Sequence, residues 1–297
     1  MRKLTPPEAY VWLVTVMALW ASGVVVARGV HELVQPIGFS FWRWFTAVVI
    51  LTPFAGAELR RRAHYLSTRL VSILALGFFM AGGSTSIIIA VQYTTATNVA
   101  LMSATQPIVT AVIAWMLLRE RLTQWQIAGI AAATAGVVAM IVRLDFALLA
   151  SLSFNPGDAV MLLSVSFYAL YAVNLHRWIA GVGPLLMMYV TCLSVVTVLL
   201  PAYVAESMLI APTVFDTRVA VATVFMALVP TLLATTMWNM SVGVVGPNRA
   251  TIFTNLLPVF GTALAVTFLH ESLQLYHIVG GLLVCAGITL VVKHDGD

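Results

Sequence analysis

Hydrophobic positions in this chain form long unbroken runs rather than short alternations. Runs of about 20 apolar residues are separated by joints carrying charge, proline and glycine. Such a run crosses a bilayer core about 30 Å thick at 1.5 Å rise per residue. The pattern predicts ten spans, near 9–28, 37–57, 70–91, 98–118, 125–143, 158–176, 184–204, 218–239, 248–269 and 276–293. Only 143–157 and 204–217 are long enough to be separate loops. A membrane barrel would show alternating segments of about ten residues instead. The expected fold is therefore an all-α integral membrane protein with ten transmembrane helices. Arg2 and Lys3 precede the first run, but that run is long and has no clear small-residue cleavage site. It reads as a retained helix rather than a signal peptide.

Composition strengthens this picture. Of 297 residues, 61% are hydrophobic and 9% charged, where a soluble domain has roughly 25% charged. Mean hydropathy is +0.99. So few charges cannot cover a surface facing water, so lipid is the expected solvent and nucleic-acid modules are excluded. The net charge of +4 matters less than its placement. With the N-terminus in the cytoplasm, the inner joints hold Arg2, Lys3, Arg60, Arg61, Arg62, Arg69, Arg119, Arg121, Arg177, Arg249 and Lys293. The outer joints hold only Arg28, Arg143 and Arg218, so both termini are expected to be cytoplasmic. Cys192 and Cys285 lie inside apolar runs and imply neither a disulfide nor a metal site. Trp12, Trp42, Trp44, Trp125 and Trp178, near span ends, read as an interfacial belt.

The second half repeats the first. Glu120, Leu122, Gly129 and Gly136 match Glu271, Leu273, Gly280 and Gly287 at an offset of 151, as Pro107 matches Pro258. Asn98 matches Asn248 at 150, and Trp20-Ala21, Arg28 and Pro36 match Tyr168-Ala169, His176 and Pro184 at 148. Residues 1–150 and 151–297 thus make two five-helix repeats. An odd number of helices sends the second copy into the membrane inverted. Inverted repeats are a common plan of secondary transporters, with the substrate near the midplane between the halves.

These residues resemble the drug/metabolite transporter superfamily in its ten-helix EamA-type form. The resemblance rests on Trp20-Ala21-Ser22-Gly23, Pro36 before Arg43, Pro107, and Leu118-Arg119-Glu120-Arg121-Leu122 with its repeat Leu269-His270-Glu271-Ser272-Leu273. It covers nearly the whole chain and is also similar to the bacterial branch linked to export of aromatic and other neutral amino acids. The resemblance implies export of small metabolites across the bacterial inner membrane.

The candidate site follows from what the spans contain. All eleven acidic residues and all six histidines fall at span ends or in joints. Proton-coupled carriers keep a titratable group at depth, so the expectation is uncoupled, facilitated export by alternating access. The alternative is proton coupling through an edge carboxylate, Glu58 or Asp158, in a drug or metabolite exporter of the same superfamily. Arg43 is the one charge inside a span. It either faces the cavity to meet a substrate carboxylate or an outer gate, or it snorkels and bonds loop carbonyls. The rings of Trp20, Tyr168, Tyr171, Trp238 and Tyr93 line a cavity or pack against lipid. Ser22, Ser84, Ser103, Gln106, Asn174 and Asn255 are candidate polar contacts, each equally able to bond its own helix.

Pro107 and Pro258 are candidate hinges, because each removes a backbone N–H inside a span. Gly129, Ala133 and Gly136, with Gly280, Gly281 and Gly287, form small-residue stripes expected to pack spans 5 and 10 together within one chain. Glu120 reads as a helix cap or a partner of Arg119 and Arg121. No paired carboxylates, His cluster or activated nucleophile lies at depth, so no enzyme, cofactor or metal is expected. The expected partners are a small-molecule substrate and the bilayer, with no nucleic acid, and the chain is expected to work as a monomer.

Overall fold

The computed structural model describes residues 4–30, 32–93, 96–145, 156–269 and 272–293. Arg2, Lys3, His270, Glu271, Asp295 and Asp297, and the side chains of Arg28 and Asn98, lie outside what is described. The described residues are helical, without strands. Nine helical segments among them are long and apolar enough to cross a membrane. Spans 1 to 3 are Pro6–Val30, Pro36–Arg61 and Leu70–Tyr93, and a short helix, Ala63–Ser67, lies between the second and third. Span 4 crosses over Val99–Leu118 and span 5 is Gln124–Ile141. Spans 6, 7 and 8 are Pro156–Trp178, Pro184–Leu209 and Thr217–Val245, and span 10 is Leu275–Lys293. The segment predicted as span 9 is helical in three pieces, Pro247–Thr251, a 3-10 turn Ile252–Leu256, and Leu257–Leu269.

The elements start where local chemistry lets them. Proline opens spans 2 and 7, where its fixed φ suits the first turn and its missing N–H would be unpaired anyway. Thr123 and Gln126 form a reciprocal capping box at the start of span 5. Asp216 caps span 8 by accepting from the Val219 N–H at 2.7 Å.

Spans 5 and 10 pack against each other, as do spans 2 and 7. Span 3 lies on span 6, and span 8 lies on span 1. Span 4 contacts span 6, and span 9 contacts span 1. Exchanging each span with the one five places later maps these pairings onto one another. The 5–10 contact is made by the small-residue stripes. A Cβ on Gly129 would stand 2.5 Å from the Gly287 carbonyl oxygen, and one on Gly136 would stand 2.6 Å from that of Gly280. Only glycine allows the two backbones this close. Gly281, on the same helix, meets nothing nearer than 4.0 Å and is not part of the contact.

The proposed tryptophan belt needs correcting. Trp125 is 43% exposed, but Trp44 is only 2% exposed and sits in the core between spans 2, 3, 6 and 7. The buried face of span 2 runs through Ser40, Trp44, Ala47, Leu51 and Ala55, spacings of three and four that carry Trp44 inward. Trp42 packs its ring edge-on to Tyr203 and donates to the Tyr203 hydroxyl at 3.1 Å.

The near face is where span 1 begins and span 10 ends, and the far face is the opposite one.

Candidate functional site

Four of the predicted rings form two pairs, Trp20 with Trp238 and Tyr168 with Tyr171, in adjoining parts of the core. On span 1, Trp20 and Gly23 lie one turn apart and both face span 8. The Trp20 ring lies 5.2 Å from that of Trp238, and a Cβ on Gly23 would touch Pro230 at 3.2 Å. On span 6, Tyr168 and Tyr171 are likewise one turn apart. The Tyr168 ring lies against Gly83 of span 3. Tyr171 is 1% exposed and its hydroxyl exchanges hydrogen bonds with the Asn239 side-chain amide at 3.0 to 3.3 Å. Asn239 follows Trp238 in sequence, so the contacts run continuously from span 1 through span 8 to span 6.

Arg43 completes the group. It is partly buried on span 2, its guanidinium lies 5.5 Å from the Trp44 ring centroid, and Tyr168 is nearby. Its Nε is buried without a hydrogen-bond partner. So are Ser40 Oγ and Trp44 Nε1, at the i−3 and i+1 positions of the same helix. Among the described residues no carboxylate pairs with Arg43, so three adjacent donors on span 2 are left with nothing to donate to.

The polar candidates divide. Ser22 donates to the Leu19 carbonyl at 2.7 Å, Ser84 to Ala81 at 3.3 Å, Ser103 to Val99 at 2.8 Å and Asn174 to Leu170 at 2.9 Å. All four bond within their own helix. Gln106 opens the helix Gln106–Leu118 and is partly buried. Asn255 differs: it lies in the 3-10 turn of span 9, is 1% exposed, and neither atom of its amide has a partner. Tyr93, at the end of span 3, is 64% exposed and stands apart from the ring group.

Both predicted hinge prolines sit at breaks. Pro107 is in the first turn of Gln106–Leu118, after the helix Ala96–Ser103 has ended. Pro258 is the second residue of Leu257–Leu269, directly after the 3-10 turn. Neither interrupts a continuous α-helix, because each resumes one, where the missing N–H has no cost. Carbonyls left over at the breaks are taken by threonines: Thr105 donates to Met102 and Thr254 to Thr251.

Three features were not foreseen. The middle of span 8, Ala227–Ala234, is a π-helix around Pro230, and such wide turns concentrate at functional sites. The Pro230 carbonyl accepts from Trp20 Nε1 and from Thr235 Oγ, both at 3.1 Å. The second is Glu120. Thr123 already caps span 5, and Glu120 instead accepts from Asn248 Nδ2 of span 9 at 2.9 Å, joining the two halves at the near face. The third concerns the acids. Asp158 and Glu206 do lie in the end turns of spans 6 and 7, yet they are 1% and 5% exposed. Position along the span does not report depth of burial once a neighbouring helix covers its end.

A recess of about 580 Å3 lies away from the rings, between the far ends of spans 5 and 10, lined by Arg143, Ser272, Gln274, Tyr276 and His277 among others.

A bundle of paired, long apolar helices with broken spans in matching places is the architecture of a multi-pass membrane protein. The chain belongs to the EamA-like transporter family, whose model matches twice, over residues 8–142 and 155–293. It is 25% identical over 257 residues to the "Uncharacterized transporter YyaM" of Bacillus subtilis, covering 86% of this chain and 83% of that one. It is 27% identical over 302 residues to the "Uncharacterized transporter YetK" of the same organism, covering 97% and 88%. An "Uncharacterized transporter" of Archaeoglobus fulgidus is 22% identical over 289 residues, covering 95% and 96%. A solved crystal structure superposes with a TM-score of 0.78 at 17% identity, covering 96% of each chain, and shows the shared fold.

Proposed function

We propose that this chain exports amino acids with aromatic or neutral side chains, and similar small amphipathic metabolites, by alternating access. The observation that carries this reading is the set of unpaired donors on span 2, Ser40 Oγ, Arg43 Nε and Trp44 Nε1, in the same part of the core as the rings of Tyr168 and Tyr171. A guanidinium inside a span calls for an anion, and a planar carboxylate fits its fork with two parallel hydrogen bonds. The rings of Tyr168 and Tyr171 suit an apolar or aromatic side chain, each adding about 0.5–1.5 kcal/mol beyond burial. A carboxylate joined to an apolar side chain is the chemistry of an amino acid. The unpaired amide of Asn255 on span 9 supplies a further polar contact.

The cycle follows from the repeat. Residues 1–150 and 151–297 are taken as two inverted halves, a reading supported by pairings that persist when each span is exchanged with the one five places later. Pro107 and Pro258 serve as hinges at the matched breaks. The protein works as a monomer in the bacterial inner membrane with both termini in the cytoplasm, so the near face is the cytoplasmic one.

Transport is facilitated rather than proton-driven, since the acids among the described residues lie at span ends. One observation favours the coupled alternative, the burial of Asp158 and Glu206. The deciding experiment is uptake of labelled amino acids into liposomes holding only this protein, with and without an imposed pH gradient. Saturable uptake indifferent to the gradient supports facilitation. Uptake that needs the gradient replaces it with coupling, and no uptake of any amino acid removes the substrate assignment.

A further inference from the structure

Glu206 stands in the last turn of span 7, and its carboxylate accepts from the backbone N–H of Ile37 at 3.0 Å and from that of Gly38. These are the second and third residues of span 2, whose own cap residue, Gln35, makes no side-chain cap bond. A helix start presents N–H groups without partners and about half a positive charge, so a buried carboxylate there is a strong tie between two spans. Gly38 makes room for it. A Cβ at that position would lie 3.2 Å from Glu206 Oε2 and overlap the Thr213 hydroxyl.

The repeat puts a second glutamate in the corresponding place. Spans 2 and 7 align at an offset of 148 through Pro36 and Pro184, Pro53 and Pro201, and Glu58 and Glu206. Glu58 therefore ends span 2 at the near face as Glu206 ends span 7 at the far face. Its counterpart helix start is that of span 7, where Gly183 provides no side-chain cap. Yet Glu58 is not engaged there. It is partly exposed and pairs with Arg62 at 3.5 Å, while Arg62 donates to the Gly181 carbonyl at 2.8 Å. The position matching Arg62 is Ile210, which carries no charge to draw Glu206 away from its cap.

We propose that Glu206 and Glu58 are reciprocal latches of the transport cycle. This rests on alternating access by two inverted halves, in which each half takes up the arrangement now seen in the other. In the structure Glu206 holds the far ends of spans 2 and 7 together and Glu58 rests on Arg62. In the opposite state Glu58 takes the backbone N–H groups of Leu185 and Leu186, the residues matching Ile37 and Gly38, and Glu206 releases span 2. Leu186 has a side chain where Gly38 has none, so the near latch closes less tightly and the far-closed state is the resting one.

Pulsed spin-label distances in liposomes test this, with one label pair at Leu33 and Leu209 for the far face and another at Arg61 and Ala180 for the near face. The label sites are introduced as cysteines in a Cys285→Ser background. E206Q is expected to shift the population about tenfold toward a long far distance. E58Q is expected to shift it the other way. R62Q, which frees Glu58 while keeping a donor for the Gly181 carbonyl, is expected to act in the same direction as E206Q. R62Q replaces an exposed residue, so it carries the test if E206Q does not fold. If these variants change thermal stability while both distances stay where the wild type has them, or if E206Q and E58Q move the distances in the same direction, Glu206 is a fixed helix cap and the latch is wrong. If the wild type gives one unexchanging distance at each face under every condition, alternating access itself falls along with the latch.

Discussion

The indole N–H of Trp20 donates to the carbonyl of Pro230 at 3.1 Å, across 210 positions of sequence. That carbonyl belongs to the π-helix of span 8, and Thr235 Oγ shares it. One tryptophan thus joins the first half to the irregular turn of the second, beside its ring contact with Trp238. Trp20→Phe removes the hydrogen bond and keeps most of the ring. We expect a stability loss of about 1 kcal/mol and a larger proportional loss of liposome transport rate, because the π turn loses the contact that fixes its position. An unchanged transport rate with lowered thermal stability would make the bond purely structural.

Arg43 separates charge from shape. Lysine keeps the charge but replaces the planar fork with a point donor that cannot grip a carboxylate bidentately. Arg43→Lys is expected to raise the concentration of phenylalanine needed for half-maximal uptake about tenfold, a change of ~1.4 kcal/mol. Inhibition by phenethylamine, which has the ring but no carboxylate, should be unaffected by the change. Equal weakening of both ligands would place Arg43 in packing rather than in substrate contact.

The stripe of small residues on span 10 makes a prediction between neighbours. A Cβ on Gly280 would run into Met140 and stand 2.5 Å from the Gly136 carbonyl oxygen, whereas one on Gly281 meets nothing nearer than 4.0 Å. Gly280→Ala should therefore destabilise the protein by about 1–3 kcal/mol through overpacking. Gly281→Ala should be neutral or slightly stabilising, since alanine favours the helix. Thermal unfolding followed by tryptophan fluorescence compares them directly. Similar losses for both would mean that the close approach of spans 5 and 10 has been misplaced.

This contrast between neighbours also marks how far sequence alone reaches here. Apolar run length located the helices because hydrocarbon thickness dictates it, and the structure moves most of their ends by only a few residues. The repeat was legible from anchors such as Pro107 and Pro258, and it led to the two breaks. Gly281, however, looks like Gly280 in composition, and only the crossing of two helices tells them apart. Pro230 has no matching proline at the same offset, so nothing in the repeat marked span 8 as irregular. Glu206 was readable only as a span-end charge, because its burial depends on span 2 starting beside it. The match between Glu58 and Glu206 was present in the sequence and could have been found by extending the alignment through spans 2 and 7.

Glu120 and Asn248 provide a final test at the near face. Asn248 Nδ2 donates to Glu120 Oε2 at 2.9 Å, and Asn248 Oδ1 is buried without a partner. The contact needs an acceptor at position 120 rather than a negative charge, so Glu120→Gln should keep it and leave stability within about 0.5 kcal/mol of the wild type. Glu120→Ala leaves the Asn248 amide unpaired and should cost about 1–3 kcal/mol. In the double variant Glu120→Ala with Asn248→Ala, the unpaired amide is gone as well, so the combined loss should be smaller than the sum of the two single losses. A coupling energy of about 0.5–3 kcal/mol in that cycle is the expected sign of direct contact. Simple additivity would mean that the two residues act independently and that the two halves are not joined here. Because the contact links the span 4–5 joint to the start of span 9, its loss should also open the near face, raising the reactivity of a cysteine placed at Leu122 toward a membrane-impermeant thiol reagent. Unchanged reactivity in Glu120→Ala would confine the pair to stability and remove it from gating.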